Sequence, residues 1–360
     1  MNTEDKILIW LDKFDFLTHK KRANIFDTLK SETFFEDFVL NYAKIDKFID
    51  YSQFSTMCAD LKYNTIDSYI DLLNSKNIKL ITINSAIYPK SLLEIDNPPQ
   101  VLYCKGDVSL LSSEANIAMV GTRRPTIYGK QITEKFSREL TVNGFNIVSG
   151  LADGVDTISH KTCVENGGKT IAVVAGGLNK IYPAFNIKLS EKIVETGGLI
   201  ITEKEPNYNA MNYDFPVRNR IIAGLSKGVL ITEASLKSGT MHTKDYAIEY
   251  GKDLFVVPGN ITSSASEGCN QIIKQLPISM VTSVDDILKF FNKTKNKIKT
   301  KQIQLTVDEA LIYNILKDGQ QSFDEILLKT NFDVKVLLNL LTLMSFRGII
   351  KKLAGNNYSL

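Results

Sequence analysis

Arginine is scarce in this chain and unevenly spread. Seven of the 43 basic residues are arginine, and four of those seven, Arg123, Arg124, Arg218 and Arg220, fall in two short runs, GTRRP and FPVRNR. In a chain that otherwise uses lysine, that placement points to a need for the planar, bidentate guanidinium fork. Phosphate is a common target of such forks, and structural ion pairs with nearby carboxylates are the alternative. The first run follows the apolar stretch IAMV, where a dinucleotide-binding fingerprint would add two more glycines. Gly121, Thr122, Arg123 and Arg124 therefore read as a strand-to-helix turn adapted to a phosphate on an extended chain. Arg123 is the first choice, because adjacent side chains diverge and Arg124 then faces solvent or a partner subunit. The helix that follows offers free N–H groups and the positive end of its dipole.

Three further runs repeat the theme. SGLADGVDTISH places Ser149 and Gly150 at a second strand end, with Lys161 just beyond. In YDFPVRNRIIAGLS, Arg218, Asn219 and Arg220 are expected in the first turn of a helix, an arrangement that opposes the dipole unless an anion lies between the cations. Phe215 adjoins them and is a candidate to stack on a base. SLKSGTMHTKDYA offers Ser238, Gly239 and Thr240 as backbone and hydroxyl donors, with Lys244 one turn on. Each run alone is weak; at successive strand ends of one sheet they describe an extended anion-binding surface.

Catalytic patterns are sparse. His19, His160 and His242 have no partner at HxxxH or HExxH spacing, and neither a GxSxG elbow nor a GxxxxGK[ST] loop occurs. No metal or cofactor is expected, and the reading is a binding protein rather than an enzyme. Glu203 and Glu233, each at a strand end, keep a nucleotide hydrolase as the alternative.

The elements that must position these residues follow from periodicity. From about 116, short β-branched runs (IAMVG, NIVSG, TIAVVAGG, LIITE, GVLITEA, DLFVVPG) alternate with amphipathic helices. This is the signature of an α/β fold with a doubly wound, mostly parallel sheet, whose ligands bind at the carboxyl ends of the strands. Residues 1–80 read as a small helical domain, 81–292 as the sheet domain, 293–304 as a Lys-rich solvated linker, and 305–360 as a winged helix. That last module carries six acidic and six basic residues, a poor electrostatic footprint for DNA and one that suits a protein contact equally well. No apolar run reaches the roughly 18 residues needed to span a membrane, so no membrane partner is expected. Four scattered cysteines without a CxxC pair fit a reducing, cytoplasmic setting.

Taken in order, IAMVGTRRPTIYG, SGLADGVDTISH, GGKTIAVVAGGLNKIYP, FPVRNRIIAGLS, EASLKSGTMHT and VPGNITSSASEGCNQII resemble the DprA/Smf family of bacterial DNA-processing proteins, from about Tyr88 to Ile287. The resemblance implies a Rossmann-like core flanked by a helical (SAM-like) domain and a winged helix. It also implies a single-stranded-DNA-binding protein of natural transformation that protects incoming strands, helps load the RecA recombinase, and forms a homodimer through its Rossmann-like domain. Two positions depart from the family pattern: Asp153 and Val217 stand where basic residues are usual, which implies weaker DNA contacts there. Phosphoribohydrolases on a similar fold carry glutamates where this chain has His242 and Thr243 in KSGTMHT, which weakens the hydrolase alternative.

Overall fold

The computed structural model describes residues 1–29, 33–63, 65–294, 296, 305–317, 319–353 and 355–360. Two compact units emerge, Met1–Asn296 and Lys297–Leu360. The N-terminal helices and the large sheet thus form one unit. Of the lysines expected in a linker at 293–304, Lys295, Lys297, Lys299 and Lys301 lie outside the described residues.

The first unit opens with helices α1 (Thr3–Asp12), α2 (His19–Leu29), α3 (Phe34–Leu40), α4 (Tyr42–Ile45), α5 (Tyr51–Tyr63) and α6 (Ile66–Ser75). Asn2 and Asp5 cap α1 reciprocally, a sequence-local start signal. Their core is aromatic: Trp10 meets Phe14, Phe34, Phe35 and Phe38 edge-on at centroid distances of 4.9–6.0 Å. Burying each such ring contributes roughly 1.5–3 kcal/mol, so this cluster alone is enough to organise the short helices around it.

An eight-stranded sheet follows. Its strands are β1 (Lys79–Thr82), β2 (Val101–Gly106), β3 (Asn116–Val120), β4 (Asn146–Ser149), β5 (Thr170–Val173), β6 (Leu199–Thr202), β7 (Gly228–Ile231) and β8 (Asp253–Val256), in the order β1-β2-β6-β5-β4-β3-β7-β8. From β6 to β8 all pairings are parallel; β2 runs antiparallel to both β1 and β6. Strands β3, β4, β5, β6 and β7 are buried along almost their whole length, as a sheet covered on both faces requires.

Alternation divides the side chains between the faces. Ala118 and Val120 of β3 join one core with Ile221 and Ile222 of α11 (Asp214–Gly224), Ala247 of α12 (Thr240–Glu249), Ile272 of α13 (Glu267–Gln275), and Leu92 of α7 (Lys90–Leu93). Ile117 and Met119 face the other way, onto Phe136 and Leu140 of α8 (Ile127–Val142), Cys163 of α9 (Val155–Glu165), and Ile287 of α14 (Val284–Phe290). A third cluster packs Ile193 of α10 (Ile187–Glu195) and Leu8 and Ile9 of α1 against the β2, β5 and β6 side. Helix α8 shows how local sequence sets an element. Gly129, Thr133, Phe136, Ser137, Leu140 and Thr141 make one buried stripe, Thr126 caps the start, and Gly144 at φ +77° closes the end.

The strand order fixes where a ligand can go. The β3–α8–β4 crossover leaves β3 to one side and face, and the β6–α11–β7 crossover returns to its other side on the opposite face. A crevice therefore opens at the carboxyl ends of β3 and β7, the switch point of a doubly wound sheet.

The second unit contains α15 (Val307–Lys317), β9 (Gln321–Ser322), α16 (Phe323–Thr330), α17 (Val334–Phe346), β10 (Lys351–Leu353) and β11 (Asn357–Ser359), with strand order β10-β11-β9. This is the winged-helix order. Ile312, Ile326, Leu337, Leu341 and Met344 form its core, and a Ser322–Glu325 capping box starts α16.

Candidate nucleic-acid interface

The GTRR turn leaves β3 into this crevice and is held from both sides. Thr122 N–H donates to the Glu233 carbonyl at 2.8 Å, and Val155 N–H donates to the Thr122 carbonyl at 3.2 Å. Gly154, at φ +77°, lies so close that a Cβ there would come within 2.4 Å of the Thr122 carbonyl oxygen and 2.6 Å of that of Arg123. Only glycine tolerates both the conformation and the approach. The backbone is thereby fixed while the side chains of Arg123 and Arg124 remain exposed.

Neither guanidinium is spent on an internal ion pair: no carboxylate among the described residues forms a salt bridge with Arg123 or Arg124. Arg123 instead lies over the ring of Phe215, with its guanidinium carbon 5.2 Å from the ring centroid. Both arginines line a cleft of about 450 Å³ together with Gly121, Thr122, Phe215, Arg218, Asn219, Ser238, Gly239 and Thr240. Ten of the residues singled out in the sequence thus converge on one cavity at the sheet's switch point. On its far wall Ser238 Oγ accepts from Thr240 N–H at 3.2 Å at the start of α12, and the position of a Cβ on Gly239 is open space. The Ser238 and Thr240 hydroxyls lie 2.9 Å apart there. The cleft can therefore offer fixed positive charge from one wall and the Thr240 hydroxyl and Gly239 N–H from the other, the Ser238 hydroxyl being spent on Thr240.

Several expectations are corrected by the geometry. The start of α8 is already filled from within: Glu233, after β7, accepts from Thr126 N–H at 2.8 Å and Thr126 Oγ1–H at 2.6 Å. A carboxylate sits where an incoming phosphate was expected. Helix α11 begins at Asp214, so Arg218 and Arg220 lie beyond its first turn. Asp214 takes the positive end, accepting from Met211 N–H and Tyr208 O–H and pairing with Lys204 at 3.1 Å. The arginines do not oppose the dipole.

Arg218 is 5% exposed and forms the cleft floor. Its Nη1 donates to the carbonyls of Gly150, at 2.6 Å, and Val173, and its Nε to Asn219 Oδ1 at 3.2 Å. Burial lowers its pKa to about 10; the Asp156 charge works against that shift and Arg123 adds to it. Asp156 beneath it accepts from the N–H groups of Gly150 and Ala152 at 3.1 and 3.3 Å. Burial pushes the Asp156 carboxyl up, against the pull of Arg218 and of those N–H bonds. A Cβ on Gly150 would lie 2.3–2.6 Å from the Arg218 guanidinium, which explains the glycine there.

The remaining sequence candidates lie elsewhere. Arg220 is 7% exposed, pairs with Glu203 at 2.5 Å, and lines a separate cavity of about 900 Å³ beside Asp12, His19 and Tyr246. Ser149 is fully buried and spends its hydroxyl on the Met119 carbonyl at 2.7 Å. Gly150 serves Arg218 and Asp156 as described. Lys161 is exposed, 3.8 Å from Glu165 one turn along α9, and Lys244 pairs with Asp245 at 2.7 Å. Neither lines the cleft. Asp153, one of the two family departures, accepts from its neighbour Gly154 N–H at 2.7 Å, and its carboxylate is exposed. Asn212 lines the cleft and was not singled out in the sequence, since it carries no charge or motif that marks it; Thr243, noted only where related hydrolases carry a glutamate, lines it too.

With this geometry in place, comparison with known proteins is direct. Residues 79–292 match the family described as DNA recombination-mediator protein A. The chain is 37% identical over 227 residues to the DNA processing protein DprA of Bacillus subtilis, spanning 63% of this chain and 76% of that protein. It is 41% identical over 204 residues to DprA of Streptococcus pneumoniae, 57% of this chain and 71% of that one. It is 39% identical over 225 residues to protein Smf of Escherichia coli, 62% of this chain and 60% of that one. The crystal structure of Streptococcus pneumoniae DprA superposes with a TM-score of 0.67 at 32% identity, covering 80% of this chain and 98% of that one. DprA from Helicobacter pylori, in a structure concerned with its single-stranded DNA binding mode, gives 0.54 at 35% identity over 59% of this chain and 96% of that one. No helix among the described residues is long and apolar enough to cross a membrane. With the match covering more than half of the chain and the motifs meeting at the switch point of its sheet, the protein belongs to the DNA recombination-mediator protein A family, DprA/Smf.

Proposed function

We propose that the protein binds single-stranded DNA through the β3/β7 cleft and acts as a recombination mediator that protects incoming strands and helps load RecA. The observation that carries this reading is the pair of unpaired, exposed guanidiniums of Arg123 and Arg124 on a rigid turn, with an aromatic face at Phe215 beside them. Cations that track a backbone next to a ring that stacks bases are the parts of a sequence-tolerant single-strand site. The Helicobacter pylori relative, described by its single-stranded DNA binding mode, supports the choice of ligand. In this reading Arg123 and Arg124 grip phosphates, the Gly239 N–H and the Thr240 hydroxyl donate to the next one with Ser238 holding Thr240 in place, and Asn219 lies between them. Arg218 sets the floor's charge without itself reaching out. Homodimerisation through the Rossmann-like domain and a cytoplasmic setting complete the proposal. The four cysteines, Cys58, Cys104, Cys163 and Cys269, are all unpaired, which suits a reducing compartment.

The hydrolase alternative would need a glutamate poised toward the cleft. Glu233 is committed to Thr126 and Glu203 to Arg220, so both candidates are tied into the scaffold. This favours binding over catalysis.

The test is a titration of the protein with a labelled oligothymidylate across a salt series. Each phosphate contact removed should lower the slope of log K against log[salt] by about 0.7 for a single strand. Arg123→Ala and Arg124→Ala should each weaken binding and flatten that slope. Unchanged affinity and slope in both variants would remove the cleft from the DNA-binding site.

A further inference from the structure

The cleft does not end at Phe215. The ring of Tyr182 stands 5.8 Å from that of Phe215, centroid to centroid, at 63°. Arg123, Phe215 and Tyr182 therefore form a row running from the end of β3 toward the loop that follows β5. Two inter-strand spacings separate β3 from β5, roughly 10 Å across the carboxyl edge of the sheet.

Tyr182 is 60% exposed. Its loop is nevertheless pinned: Gly177 N–H donates to the Tyr208 carbonyl at 2.9 Å and Asn179 N–H to that of Pro206 at 2.8 Å. At its far end the buried Asn186 amide donates to the Leu151 carbonyl and to Thr157 Oγ1 at 2.9 and 2.8 Å. Lys180, two residues before Tyr182, is exposed and in no salt bridge with a described carboxylate. An exposed ring on a pinned loop, with an unspent cation two residues away, places at the end of β5 the same residue types as Phe215 and Arg123. A rigid aromatic side chain loses little conformational entropy when a base stacks on it.

We propose that Tyr182 is a second base-stacking residue and Lys180 its phosphate partner, so that a bound single strand continues from the β3/β7 cleft past Phe215 and over the end of β5. The inference rests on the single-strand reading above and gives that strand a direction. It also predicts that the site tolerates any base, because stacking uses the π-face common to all four.

The test uses the full chain and a labelled oligothymidylate, with Arg123→Ala as the reference variant. Tyr182→Ala should lower affinity about 5- to 100-fold, the range for loss of one stacked base, with an unchanged salt slope. Tyr182→Phe should bind like the native protein, because the ring and not the hydroxyl makes the contact. Lys180→Ala should flatten the salt slope by about 0.7. The loss from Tyr182→Ala should persist in a Phe215→Ala background; if it vanishes there, Tyr182 merely props Phe215 and the inference falls. It falls equally if Tyr182→Ala binds as the native protein does while Arg123→Ala is weakened, an outcome that leaves the cleft reading intact. If neither variant differs from the native protein, the cleft reading fails with it.

Discussion

Glu233 holds Thr126 through both oxygens of its carboxylate, one on the backbone N–H at 2.8 Å and one on the hydroxyl at 2.6 Å. The contact ties the end of β7 to the start of α8 and so closes the wall on which the GTRR turn rests. Glu233 is 1% exposed, so its charge is compensated by the helix start and by these two donors. The anion position that Rossmann-like folds commonly leave for a ligand is here built into the protein. In the proposed function, contact with the DNA backbone is then left to the arginines on the outer side of the turn.

Glu233→Gln tests that division of labour. The amide keeps the shape but removes the charge, and with its oxygen on the Thr126 N–H it turns its NH2 group toward the Thr126 hydroxyl, which no longer has a carboxylate to donate to. Stability should fall by about 1–3 kcal/mol, the usual effect of disabling a charged, buried hydrogen bond. Oligothymidylate affinity should stay close to native in conditions where the protein is folded. Denaturant midpoints and a binding titration on the same preparation check both halves; a large affinity loss with unchanged stability would place Glu233 in the DNA site.

Arg218 and Arg123 should separate in the same pair of measurements. Arg218→Met leaves the Gly150 and Val173 carbonyls buried without their donor and removes the positive charge near buried Asp156, a loss of about 1–3 kcal/mol for each buried group left unsatisfied. Arg123→Ala removes an exposed side chain and should change stability by less than about 0.5 kcal/mol. A binding defect in Arg218→Met is therefore expected together with a lowered melting temperature, and in Arg123→Ala without one.

The C-terminal unit makes a different prediction. In α17, the helix that would enter a groove, Val334, Val336, Leu338, Leu343 and Phe346 are exposed, Phe346 at 91%, and Lys335 is the one basic residue within the helix. Arg347 at its end is drawn back to Glu309 at 2.6 Å. Such a face suits a protein partner better than a polyanion. Removing residues 305–360 should leave oligothymidylate affinity within about twofold of native, and a loss of about tenfold or more would assign this unit to DNA.

How much of this was legible in the sequence depends on what carried each signal. The sheet was, because buried parallel strands are short β-branched runs between glycines, and the six runs from IAMVG to DLFVVPG are the six parallel strands. The pairing of β1 and β2 onto β6 was not, since an antiparallel edge leaves no periodicity different from its neighbours. Arg123 and Arg124 were legible as a pair because their residue type is rare here. Arg220 has the same type and lies in the second arginine run, FPVRNR. Its partner, Glu203, lies 17 residues away, just past the end of β6, and only the packed structure shows that they meet. The burial of Ser149 and Arg218 was not legible for a related reason: motif spacing locates a residue along an element but not the depth at which its polar atoms end. Tyr182 carried no charge and no spacing signal, and only the neighbouring ring of Phe215 marks it.

Asp12 offers a pH test of the junction between the helices and the sheet. It is 4% exposed at the end of α1, where it accepts from the Tyr103 hydroxyl at 2.9 Å and pairs with Arg22. Burial raises its pKa from the ordinary 3.8 to about 6, against the pull of Arg22 and of the Tyr103 hydrogen bond. Between about pH 4 and pH 6 the folded chain therefore holds a proton at Asp12 that the unfolded chain has released. The stability contributed by that proton is fully present below about pH 4 and is lost as pH rises through about 6, a change on the order of 3 kcal/mol. Asp12→Asn cannot ionise, so its stability relative to the native chain should rise by that amount from pH 4 to pH 7. Denaturant midpoints for both proteins across this range give the difference directly, and a difference that stays flat would mean that Asp12 titrates as an ordinary carboxylate in the folded protein.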